Sequence, residues 1–203
     1  MSLKKRLYLS PLGYFISLVQ NAVAVFHRPF MVYGFKNKVV NKWMKNTRIS
    51  SSTKILGKNK FDIRDGVWIG HYCVLDASNG MQINEGVQTG SHVSIYTHSS
   101  HIAIRLLGNE YITSNDRVGY IEGSVSIGRY SFVGDSCVIF PGVSIGSGCL
   151  IKAGSVVTRD IPDYAIASGV PAKVVGYVRD LDRAFIKDTD VSRTYFDLKV
   201  FQD

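Results

Sequence analysis

Five histidines occur in the chain, at 27, 71, 92, 98 and 101, and only His98 and His101 stand where a regular sequence pattern breaks off. An imidazole titrates near neutrality, so its neutral form suits taking a proton from a weakly acidic group such as a hydroxyl. Both lie in the segment YTHSSH, residues 96–101, at the mouth of a long excursion. A working base needs an acceptor on its second ring nitrogen. The excursion offers Glu110, Asp116 and Glu122, and the chain before it offers Asp76. Glu122, just ahead of the point where the pattern resumes, is the first choice. A histidine in such a place can also serve only to cap a strand, and its surroundings must decide.

The elements that position these residues announce themselves by a period of six. From Ile127 the chain reads IGRYSF, VGDSCV, IFPGVS, IGSGCL, IKAGSV, so branched aliphatic residues recur at Ile127, Val133, Ile139, Ile145, Ile151 and Val157. Small residues stand four places later, at Ser131, Cys137, Val143, Cys149 and Ser155. Neither a helix nor an alternating strand has this period. A coil of short parallel strands does, with one large and one small side chain per step pointing inward. An earlier array covers Ile63, Ile69, Leu75, Ile83, Thr89 and Ile95, with a two-residue slip around Ser78–Gly80. The repeats stop near Ile95 and resume near Val125, so residues 96–124 are thrown out as a loop, where function tends to reside.

A length of 203 residues with 45% hydrophobic content suits one domain with a sizeable core. The expected organisation is a basic, helical N-terminal segment over residues 1–54, the coil over 55–178 with its loop 96–124, and a tail over 179–203. Its alternating YFDLKVF suggests a strand. The three cysteines, Cys73, Cys137 and Cys149, all fall on the small interior position and read as reduced core thiols, which fits a cytoplasmic protein.

Charge is unevenly placed. Residues 1–61 hold twelve Lys or Arg and no Asp or Glu, whereas the remainder is mildly acidic. The apolar stretch Leu12–Phe26 is broken by Ser, Gln and Asn and is too short to span a bilayer. It reads as a helix over the open end of the coil, or as an interfacial helix in which Lys4, Lys5, Arg6 and Arg28 meet anionic lipid beside Tyr14, Phe15 and Phe26. Peripheral contact with the inner face of a membrane through residues 1–30 is the corresponding expectation. No nucleic-acid partner is expected.

The YTHSSH segment, the loop, the VGDSCVIFPGVSIG run and the tail IKAGSVVTRDIPDYAIASGVPAKVV together resemble the hexapeptide-repeat acyltransferases, which include galactoside, maltose and xenobiotic acetyltransferases. The resemblance covers residues 60–178. It implies an all-β, left-handed parallel β-helix, a homotrimer, acetyl-CoA as co-substrate without a metal, and a sugar as acetyl acceptor; the basic, aromatic-rich N-terminal region adds the expectation of an anionic or lipid-linked acceptor, as in polysaccharide or lipopolysaccharide synthesis. It favours His98 over His101 as the base. It also implies that Ala153 and Thr158 line the pantetheine path, that Phe132 and Asp135 flank the thioester where the family often has Trp and Ser, and that Arg159 and Lys173 meet the phosphates. Alternatives are N-acetylation of a nucleotide-linked amino sugar, a zinc enzyme of the carbonic anhydrase kind, and a non-catalytic trimeric scaffold. Spacing disfavours the zinc site, since no two histidines are separated by a multiple of eighteen.

Overall fold

The computed structural model describes residue 6, residues 10–187 and residues 189–201. It divides into two units, Met1–Phe30 and Met31–Asp203. The first contains helix α1 (Pro11–Ala24), whose Leu12, Tyr14, Phe15, Leu18 and Val19 are exposed. No described helix is long and apolar enough to cross a membrane. Lys4 and Lys5 lie outside the described residues.

Among the described residues of 1–54, the helical expectation holds for Arg6, α1 and the short turn after it. Residues 31–50 form an antiparallel hairpin instead, β1 (Met31–Asn37) and β2 (Lys42–Ser50), with Met31 opposite Ser50 and Asn37 opposite Lys42. The reason is legible in the pairing: Phe35 lies opposite Met44 and packs edge-on against Phe61, 5.7 Å between ring centroids, while Lys36 and Trp43 share the other side. Next to the turn this is the inward and outward alternation of paired strands, with a bulge between Tyr33 and Phe35.

From β2 onward the chain winds through three sheets in turn. One face holds β2, β5 (Trp68–Ile69), β8 (Gln88–Thr89), β13 (Phe132–Val133), β16 (Leu150–Ile151) and β18 (Ala165–Gly169). A second holds β3 (Lys54–Leu56), β6 (Val74–Asp76), β9 (Ser94–Ile95), β14 (Val138–Ile139) and β17 (Val156–Val157). The third holds β4 (Phe61–Ile63), β7 (Met81–Ile83), β12 (Val125–Ile127) and β15 (Ser144–Ile145). Successive turns pair in parallel on every face. The inward aliphatic residues Ile63, Ile69, Leu75, Ile83, Ile95, Ile127, Val133, Ile139, Ile151 and Val157 are all fully buried. Cys73, Cys137, Cys149, Ser131 and Ser155 fill the narrow positions beside them.

One corner is special. Between the second and third faces the early turns carry two extra residues, so Lys54 pairs with Val74 and Phe61 with Met81, twenty apart, whereas Val138 pairs with Val156, eighteen apart. The excursion leaves from this same corner. It starts with β10 (His98–Ser99), passes through α2 (Ala103–Leu107), and returns as β11 (Ile121–Glu122), which pairs antiparallel with β10.

After β18 the chain turns back as β19 (Ala172–Tyr177), antiparallel, followed by α3 (Val178–Asp182) and α4 (Thr189–Thr194). The strand expected in YFDLKVF is absent; Leu198–Phe201 is a 3₁₀ turn. Its residues have a different use: Phe196 packs against Tyr130, Tyr164 and Tyr195, at 5.2, 6.1 and 5.2 Å between centroids, and Val200 is buried with Ile166 and Val178.

Candidate active site

His98 is placed by the turn of coil before it. Thr97 is fully buried, its hydroxyl donating to the Asp76 carbonyl at 2.8 Å and accepting from the Asn79 N–H at 3.0 Å. Asn79 also donates through Nδ2 to the Thr97 carbonyl, 3.1 Å away. The residue before His98 is thereby locked to the preceding corner, and His98 starts the excursion from a fixed point.

The ring is held on two sides. Its Nδ1 lies 3.0 Å from Asp76 Oδ2, and the Asp76 side chain is only 3% exposed. The contact is short in distance, yet Nδ1 makes no hydrogen bond of good geometry. Such loose alignment is common before substrate tightens a site. Asp76 Oδ1 is occupied separately, accepting from the Ser78 N–H at 3.0 Å and the Ser78 hydroxyl at 2.6 Å. Tyr120 stacks on the imidazole, 5.7 Å between centroids with planes 15° apart. Burial, with Tyr111 and Glu122 nearby, pushes the Tyr120 hydroxyl up, so it stays protonated. Arg117 lies over the rings of both Tyr111 and Tyr120, at 4.9 and 5.8 Å.

His98 opens onto a cleft of about 390 Å³ lined by Tyr96, Ser99, Ser100, Val138, Phe140 and Pro141. His101 is exposed and outside that lining; its Nδ1 shares a hydrogen bond with the Ser99 hydroxyl at 2.8 Å. Glu122, the first choice as orienting carboxylate, pairs with His98 only through the backbone of β10 and β11, and it is exposed. The acid at the ring nitrogen is Asp76. Glu122 was preferred for standing next to the point where the repeats resume, whereas stacking decides the contact: Leu75 pairs with Ile95, so the Asp76–Ser78 corner lies directly beneath residues 96–98. Tyr120 was not singled out in the sequence, where nothing distinguishes it from other loop aromatics.

Thr158, Arg159 and Lys173 come together along one groove of about 490 Å³, with Asp160, Ile161, Pro171, Ala172 and Val174. Its two cations suit the phosphates of a long ligand. Phe132, Asp135 and Ala153 line neither this groove nor the His98 cleft. Phe132 faces outward between Gln88 and Leu150 on the first face. Asp135 pins the next corner, accepting from the Ser91 N–H, and its carbonyl accepts from Gly154 N–H at 2.8 Å. All three cysteines are buried as free thiols, and burial pushes Cys149 up to about 11. A thiolate nucleophile is therefore disfavoured near neutral pH. Among the described residues no group of three His, Cys, Asp or Glu could hold one metal ion.

Residues 124–159 match the family model described as the hexapeptide repeat of succinyl-transferase. The chain is 30% identical to serine acetyltransferase 4 of Arabidopsis thaliana over 66% of its own length and 35% of the relative's. It is 34% identical to galactoside O-acetyltransferase of Escherichia coli over 46% of its length and 41% of that protein. Among solved structures, a maltose O-acetyltransferase from Clostridium difficile 630 superposes with a TM-score of 0.54 at 25% identity, covering 63% of this chain and 64% of that one. The chain thus spans well under two thirds of these curated relatives.

Proposed function

We propose that this hexapeptide-repeat chain, whose relatives are acetyltransferases, transfers acetyl from acetyl-CoA to a hydroxyl of a sugar in surface polysaccharide or lipopolysaccharide synthesis. The observation that carries the reading is the pairing of His98 with buried Asp76 at the rim of a cleft, where the coil opens into its one long excursion.

Acetyl-CoA supplies an acyl group activated as a thioester, and Arg159 and Lys173 are the cations fitted to its phosphates. The chain's own residues do the rest. With the Asp76 carboxylate at Nδ1, the favoured tautomer carries its proton there, which leaves the Nε2 lone pair for the acceptor hydroxyl. Asp76 also steadies the imidazolium once His98 has taken that proton. Tyr120 keeps the ring from turning, and Phe140, Val138 and Pro141 keep water from one side of the cleft.

The proposal includes a left-handed coil and a homotrimer. Phe132, Asp135 and Ala153 lie away from His98 in a single chain, and a neighbouring subunit is what would bring such residues to the thioester. A cytoplasmic location, with peripheral contact through residues 1–30 at the inner face of a membrane, completes it, and lipid-linked or nucleotide-linked sugars are the acceptors of choice.

The test is CoA release from acetyl-CoA against sugars, sugar nucleotides, amino sugars and serine. Hydroxyl-bearing sugars are expected to support release, and His98→Ala to lower kcat by about 10²–10⁴. Near-normal turnover in His98→Ala would remove the base. Release with amino acceptors alone would make the enzyme an N-acetyltransferase.

A further inference from the structure

Near its tip the β1–β2 hairpin is fixed to the coil by a buried side chain that also shapes its turn. Asn37 is fully buried, and its Nδ2 donates to Asp62 Oδ1 and to the Ile63 carbonyl, both at 2.7 Å. Its Oδ1 accepts the N–H groups of Val39 and Val40, at 2.9 and 3.3 Å. Lys36 Nζ donates to the Asn41 carbonyl at 3.0 Å, and Asn41 closes the turn in the left-handed region with φ of 52°. Seat and turn are therefore set together.

Apart from the Trp43 indole, one face of which lies against Gly34, the apolar side chains around this turn are turned largely to solvent. Val39 is 48% exposed, Val40 40% and Trp43 57%, while the inward role on the hairpin is taken by Phe35 and Met44. Lys36, Lys38, Lys42 and Lys45 surround the apolar residues, and all four are exposed. No Asp or Glu precedes Asp62. Asp62 is engaged by Asn37 and Arg64, and Asp65 by Asn46, so the nearest acids in sequence already have partners.

We propose that this hairpin is a docking finger for an anionic lipid surface, distinct from the helix at residues 11–24. Val39 and Val40 enter the boundary between headgroups and acyl chains, Trp43 lies at the interface, and the lysines meet lipid phosphates. A turn already ordered by Asn37 binds without the cost of ordering it. The composition favours lipid over other partners. At the turn, two valines with Trp43 are too small a patch for a stable protein interface, and two exposed valines beside Lys38 offer nothing to the phosphates of a nucleic acid.

Trp43 and Trp68 are the two tryptophans, so the full chain carrying Trp68→Phe reports on Trp43 alone. Its emission is measured with phosphatidylcholine vesicles, with and without phosphatidylglycerol, and with brominated acyl chains as quenchers. The expected result is a blue shift and quenching with anionic vesicles only. Partition should fall about fivefold in Lys38→Gln and again in Lys42→Gln, and at least about tenfold in the double variant Val39→Asp, Val40→Asp. Vesicle binding with Trp43 unquenched would assign the contact to residues 1–30 and overturn the proposal. A change in sedimenting mass or in DNA binding on altering the valines, without lipid quenching, would overturn it as well. Co-sedimentation is repeated on chains keeping both tryptophans, so the comparison stands even if Trp68→Phe folds poorly. Equal partition of the unaltered chain and the double valine variant there would also overturn it.

Discussion

Asp76 has one carboxylate oxygen committed to Ser78 and the other turned toward His98, so its position is fixed before any substrate arrives. Replacing it by Asn keeps the Ser78 contacts within reach of the amide oxygen but turns an N–H toward Nδ1 and removes the charge that steadies a protonated ring. Asp76→Asn is expected to lower kcat by more than about tenfold, short of the ~10²–10⁴ expected for loss of the base itself, with KM for the acceptor little changed. Glu122→Gln should leave kcat within about twofold, since its side chain is exposed and away from the ring nitrogen. Steady-state CoA release on the two variants checks both. The proposed base and its surroundings were half legible in the sequence. His98 and His101 were both marked by where the repeats break, and the two-residue slip was legible too, whereas the orienting acid is set by stacking between turns rather than by closeness along the chain.

At the scale of elements, the C-terminal segment is held to the coil by a polar contact that titrates. Tyr164 donates its hydroxyl to Asp197 Oδ2 at 2.7 Å, and that bond, with burial, pushes the tyrosine up from 10.0 to about 12. A raised folded-state value means that the proton is bound more tightly in the folded chain. The stabilisation is thus fully present below the ordinary value and is lost as pH rises through the folded one. Thermal melts should show the unaltered chain losing its advantage over Tyr164→Phe between pH 10 and about 12. A constant difference across that window would contradict the assignment. This segment was the least legible part of the sequence, because YFDLKVF has the alternation of a strand. Its aromatic residues instead fill the space around Tyr130 and Tyr164, a tertiary demand that no local period expresses. The hairpin at residues 31–50 was missed for the opposite reason: its short alternation lies beside an apolar helical run and was absorbed into it.

Across the whole molecule the coil is a stack in which each turn touches only its neighbours, and the period of six made it readable from sequence alone. Its interior tolerates little change. Truncating Ile139, fully buried in the middle of the stack, is expected to cost about 2–5 kcal/mol in denaturant unfolding. A Cβ at Gly128 would meet the Gly146 backbone carbon at 2.4 Å, so Gly128→Ala should cost about 1–3 kcal/mol although it adds a single methyl. The corner between the second and third faces behaves differently. It accommodates a six-residue step, an eight-residue step and the excursion from 96 to 124 without disturbing the parallel register on either side. Under the proposed function, recognition of the acceptor and upkeep of the scaffold are therefore separable in inheritance. On that reading, segments of other lengths and compositions can be exchanged between Ser99 and Tyr120 while Thr97, Asp76 and Tyr120 keep His98 where it is, so a lineage can change what it modifies without having to relearn how to fold.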